Sequence, residues 1–145
     1  MSRSIEQQRT PRSEPVSLDG VAAGSTTRVL VADDNADVLM AIADILNDVP
    51  GVEVVSLTSN VEDAVRSAAW HKPELAFVDA WLKGGGAELV ARRMKGVSPD
   101  TAVVALASAK DVELVLRLRE AGATGCYEKE QLTAVLPEIL AGARR

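Results

Sequence analysis

The chain has 145 residues, 47% of them apolar but only four aromatic (Trp70, Phe77, Trp81, Tyr127), so one domain with an aliphatic core is expected. A net charge of −5 argues against direct nucleic-acid or anionic-membrane binding, and the single Cys126 excludes an intramolecular disulfide or a cysteine-rich metal site. No apolar run approaches the ~18 residues of a membrane span and the N-terminus lacks a signal-peptide core, so a cytoplasmic location is expected.

Residues 1–27 are rich in Ser, Thr, Pro, Gln, Arg and Glu without any period, and are read as a disordered N-terminal arm. From residue 28 strand and helix signals alternate, giving a domain over 28–143 and a tail at 144–145. The apolar run Val29-Leu30-Val31-Ala32 predicts a buried strand, and Val38, Ile42, Ile45, Leu46 and Val49 then fall on one helical face that Pro50-Gly51 ends. Val52 to Leu57 reads as a second strand. Val61, Ala64, Val65, Ala68 and Ala69 mark a second helix, with Ser59 or Asn60 as its cap. Leu75 to Asp79 is the third strand, Gly84-Gly85-Gly86 a flexible loop, and Leu89, Val90 and Met94 a third helix closing near Gly96. Thr101 to Ala107 is a fourth strand, Asp111 caps a helix through Val112, Val115 and Leu118, and Ala123 to Tyr127 is a short fifth strand. Leu132, Val135, Leu136, Ile139 and Leu140 give the last helix, whose start Pro137 should bend or delay.

Five β/α units with right-handed crossovers predict an α/β, doubly wound, five-stranded parallel sheet with five helices, most simply in the order 2-1-3-4-5. Ligands of such sheets bind beyond the carboxyl ends of the strands, where the strand order reverses. Asp33 and Asp34 follow strand one and Asp79 follows strand three, so the three acids should share one mouth. Like charges so placed call for a cation, and an all-oxygen set suits Mg²⁺ or Mn²⁺.

With these residues in place, the segment from 28 to about 143 resembles a receiver domain of two-component response regulators, stand-alone and chemotaxis-like in its extent. The acidic pair, the Asp after strand three and Lys129, which follows Ala121-Gly122-Ala123-Thr124-Gly125 at the family's spacing, carry the resemblance. It implies a flavodoxin-like fold in which Asp79 accepts a phosphoryl group and Asp34 and Asp79, with Asp33 directly or through water, hold Mg²⁺. It also implies that the Trp81 carbonyl completes the metal set and that Lys129 supplies a positive charge to the phosphate. A switch hydroxyl is expected beyond strand four. Counting back from Gly122 without a gap places Ala107 there and one deletion places Ser108 there; Ser108 is preferred. The implied partners are a sensor histidine kinase or histidine phosphotransfer protein and an unknown output protein. The chain is read as a phosphoacceptor signalling protein and not an enzyme.

The chain also departs from the family. Lys83 stands where a proline is common, the glycine loop is one residue short, and Glu130 replaces the proline after the lysine. Cys126 takes the usual aromatic position, with Tyr127 one later and so facing the other side of the sheet. These departures motivate a second reading, an interaction module that works without phosphorylation. A metal-dependent phosphohydrolase is a third, disfavoured because the chain leaves no room for a cap domain. His71 is read as an exposed loop residue at the far end of strand three, and Arg92, Arg93, Arg117 and Arg119 as solvated helix faces.

Overall fold

A computed structural model describes residues 26–143; most of the expected N-terminal arm and the tail at 144–145 lie outside the described residues. The elements run β1 (Thr27–Ala32), α1 (Ala36–Asn47), β2 (Val52–Thr58), α2 (Val61–His71), β3 (Leu75–Asp79), α3 (Gly86–Val97), β4 (Ala102–Ala107), α4 (Val112–Ala121), β5 (Gly125–Glu128) and α5 (Leu132–Ala143). All strand pairs are parallel, in the order β2-β1-β3-β4-β5, as the alternation of signals predicts.

The strands read as unbroken apolar runs because both faces of the sheet are covered. Ile42 and Leu46 of α1 pack with Leu132, Leu136, Ile139 and Leu140 of α5 over Val29, Val31 and Phe77. On the other face α2, α3 and α4 bring Val65, Val90, Met94 and Leu118 against Leu30, Val78 and Ala105. Phe77 is fully buried at the centre of β3, and each such large side chain contributes about 1.5–3 kcal/mol of hydrophobic stabilisation before entropy is counted. That face is rich in alanine (Ala64, Ala68, Ala87, Ala91, Ala121), which lets three helices sit close to the sheet. Cys126 packs on the α2–α4 side and Tyr127 on the α1–α5 side, as the pleat requires.

Local chemistry sets the helix ends. Asn60, rather than Ser59, caps α2: its side chain accepts from Asp63 N–H at 2.8 Å and donates to the Asp63 carboxylate at 3.0 Å. Asp111 caps α4 through Leu114 N–H at 2.8 Å, and Gly122, at φ +109, closes it.

Two expectations change. Pro137 does not delay α5, which begins at Leu132 directly after a 3-10 turn over Lys129–Gln131 and carries the proline in its interior. His71 is the half-buried last residue of α2, held by the Arg28 guanidinium on its carbonyl at 2.6 Å. Arg92, Arg93 and Arg117 keep solvated side chains, as expected, and also form ion pairs, Arg93 reaching from α3 to Glu62 of α2 at 2.6 Å. Among the described residues no helix is long and apolar enough to cross a membrane.

Candidate phosphoryl and cation site

The site begins where β1 and β3, neighbours in the sheet, run out. Ala32 pairs with Val78, so the residues that follow each strand emerge side by side. Asp33, Asp34 and Asp79 each place a carboxylate oxygen so that all three atoms lie within 4.8 Å of one another. The sequence pattern predicts this meeting from strand order alone.

The three acids are held differently. Asp33 is 1% exposed; its N–H donates to Thr58 O at 3.0 Å, and its carboxylate accepts from Asn35 N–H at 2.9 Å. Asn35 in turn caps α1, accepting from Asp37 and Val38 N–H. The helix cap is therefore Asn35, which leaves both aspartates free for the site. Asp34 is exposed and accepts from the backbone N–H of Lys83 at 3.0 Å. Asp79 is 9% exposed at the end of β3.

Lys129 reaches in from beyond β5. Its ammonium lies 2.7 Å from Asp33 and 3.3 Å from Asp79, joining groups 96 positions apart in sequence. Burial pushes the Asp79 carboxyl above its ordinary value, the neighbouring Asp33 adding to the shift; Lys129 and the Trp81 N–H only partly oppose it. The Lys129 ammonium is held above its ordinary value: burial pulls it down, but the contacts with Asp33 and Asp79 outweigh that.

One ammonium among three carboxylates leaves two formal negative charges, the charge that one divalent cation balances. The donors are all oxygen, which suits Mg²⁺ or Mn²⁺. The residues present therefore fit such an ion.

The remaining predicted residues lie around this centre. Trp81 is 62% exposed, its ring 5.8 Å from the Arg117 guanidinium of α4. Ala107, the last residue of β4, is fully buried in the core, whereas Ser108 is exposed in the loop beyond it. Among the described residues no hydrogen bond joins Ser108 to the acids or to Lys129. The glycine loop has a defined shape: Gly84, Gly85 and Gly86 have φ of +101°, +137° and +76°, and a Cβ on Gly86 would lie 2.6 Å from Ala80 O. Sequence reasoning missed Asn35 and the Lys83 backbone. Asn35 has the cap-forming side chain that precedes a periodic apolar run, a signal hidden by the acids beside it. A backbone donor leaves no signature in residue type.

The response regulator GacA of Pseudomonas aeruginosa is 30% identical over 121 residues, covering 81% of this chain and 56% of its own length. Transcriptional regulatory protein PdtaR of Mycobacterium tuberculosis is 32% identical over 118 residues, covering 77% of this chain and 54% of its own. The chain thus spans about half the length of these curated relatives. Among solved structures, the receiver domain of the putative response regulator NarL from Mycobacterium tuberculosis superposes with a TM-score of 0.78 at 21% identity, covering 83% of this chain and 98% of that one. The CheX–CheY–BeF3–Mg complex from Borrelia burgdorferi matches with a TM-score of 0.70 at 13% identity, covering 84% of this chain and 92% of that one, a likeness of fold. The family model for the response regulator receiver domain matches residues 29–141; with the sheet order and the acidic site already in place, the chain belongs to that family.

Proposed function

We propose that Asp79 accepts a phosphoryl group from a phosphohistidine on a sensor kinase or phosphotransfer protein. The observation that carries this reading is the ammonium of Lys129 touching both Asp33 and Asp79 in an otherwise acidic mouth. An Asp79 oxygen attacks phosphorus, the P–N bond breaks, and the imidazole leaves with its electron pair and takes up a proton. Phosphoryl transfer asks for positioning and charge neutralisation more than acid–base chemistry. Lys129 meets that need with a positive charge that would pass from the acids to a phosphoryl oxygen. Asp33, Asp34 and Asp79, with the Trp81 carbonyl, would hold Mg²⁺ or Mn²⁺. Such an ion supplies charge neutralisation between the carboxylate and the phosphoryl oxygens. The raised pKa of Asp79 marks a carboxylate whose charge the protein alone does not fully compensate.

Ser108 is the proposed switch hydroxyl, drawn to the phosphate by a movement of the loop after β4. The phosphorylated domain would act in the cytoplasm through protein contacts or by passing the phosphoryl group onward. A phosphorylation-independent module is the second reading, favoured by the buried methyl of Ala107 where a hydroxyl would otherwise stand. Incubation with Mg²⁺ and a small acyl- or amido-phosphate, followed by intact mass, separates them. A labile gain of about 80 Da, one phosphoryl group, absent from Asp79→Asn, is the expected result. No gain in protein that binds Mg²⁺ would move the assignment to the module.

A further inference from the structure

Lys83 meets the acidic site through its backbone. Its N–H donates to Asp34 Oδ2 at 3.0 Å, while its carbonyl accepts from the N–H of Val61, the first residue of α2, at 2.9 Å. Gly84 continues this contact: a Cβ added there would lie 3.3 Å from Val61 Cβ, so the loop rests on the start of α2. One residue therefore connects an acid after β1, the loop after β3 and the buried first residue of α2.

Asp34 needs such support more than the other acids. Asp33 is buried and fixed by Lys129 and the Asn35 N–H, and Asp79 touches Lys129. Asp34 is exposed, and among the described residues its carboxylate accepts only the Lys83 N–H. A carboxylate offers about four lone-pair positions, so this bond fixes the group and leaves room for a cation. Holding a ligand in place before binding removes an ordering cost from the binding step.

We propose that the Lys83 N–H positions Asp34 as a cation ligand, so that Lys83 serves the site through its backbone and not through its ammonium. This rests on the reading of the three acids as a divalent-cation site. Proline at position 83 has no N–H to give, whereas alanine keeps the N–H and removes only the charge. The two substitutions therefore separate the roles.

Mg²⁺ is titrated calorimetrically into unphosphorylated wild type, Lys83→Ala and Lys83→Pro, with thermal unfolding of each as the check on folding. Lys83→Ala is expected to bind at least as tightly as wild type, and Lys83→Pro about tenfold more weakly than Lys83→Ala, the usual loss when a partner of a metal ligand is removed. Equal affinities in the two variants would overturn the proposal alone. Absence of binding by wild type would overturn the cation-site reading and the proposal with it. Amide exchange in wild type tests the bond even where the proline variant does not fold. The Lys83 N–H should exchange at least about tenfold more slowly than a free peptide, and more slowly again with Mg²⁺. Exchange at the free-peptide rate, or no response to Mg²⁺, would overturn it.

Discussion

Asp33 and Asp79 share one ammonium unequally, with Lys129 at 2.7 Å from the first and 3.3 Å from the second. The farther carboxylate, Asp79, is pushed above its ordinary value chiefly by burial, which Lys129 only partly offsets. Burial acts on Cys126 in a simpler way. Its thiol is pushed above the ordinary value of 9.0 by desolvation, and the Lys110 ammonium only partly offsets this. The folded chain thus keeps the thiol proton at a pH where the unfolded chain has released it. By linkage, stability falls as pH rises from about 9.0 through the higher folded value. Alkylation follows the thiolate, so at pH 8 iodoacetamide should label native Cys126 at least about tenfold more slowly than the urea-unfolded chain. Intact mass against time checks this, and equal rates in the two states would refute the burial account.

Helix α5 contains a conflict between packing and propensity. Leu132, Leu136, Ile139 and Leu140 form the stripe that closes the α1–α5 face, and exposed Pro137 lies in the same helix without an N–H for Thr133 O. Proline in a helix interior costs about 3 kcal/mol, partly offset by the restraint it places on the unfolded chain. Pro137→Ala is therefore expected to stabilise the domain by about 2 kcal/mol, read from the urea midpoint at unchanged slope. No gain would mean that α5 already bends to satisfy the missing bond. The position of Pro137 also shows where sequence reading stops. Apolar runs mark the strands because both sheet faces are buried, and the acids are legible because they follow those runs. A proline near a helix start reads as a boundary, but here burial of Leu132 and Leu136 carries the helix through it. Strand β2 holds a similar surprise: register shifts between Val29 and Leu30, so that Leu30 faces Ser56 and not Val55. Ser56 Oγ then meets Ser67 Oγ of α2 at 2.5 Å. Residue types did not show this, because Val54-Val55 satisfies a strand pattern in either register. Lys129 was legible only by resemblance, since a lone lysine after a strand has no pattern of its own. The Lys83 contact with Asp34 was not legible at all, being made by backbone.

At the scale of the whole molecule, the acidic mouth places unbalanced charge against the stability of the fold. Three carboxylates meet at the ends of β1 and β3, and Lys129, from beyond β5, is the ammonium that ion-pairs with two of them. In a chain of net charge −5, this local excess opposes compaction, and a bound divalent cation would relieve it. A cation bound by the folded state and not by the unfolded one adds RT ln(1 + [L]/Kd), about 2.7 kcal/mol at one hundred times Kd. For a domain of this size that corresponds to a rise in Tm of roughly 10 °C. The expected result is a thermal midpoint that climbs with Mg²⁺ and follows this logarithm. Asp34→Asn should flatten the climb, because it removes the negative charge and one carboxylate oxygen while leaving the buried Asp33–Lys129 pair in place. NaCl at matched ionic strength should raise the midpoint far less, since screening acts on all surface charge and fills no site. An equal rise with NaCl, or an undiminished response in Asp34→Asn, would show that the three acids act as a diffuse acidic surface rather than as one coordinating site.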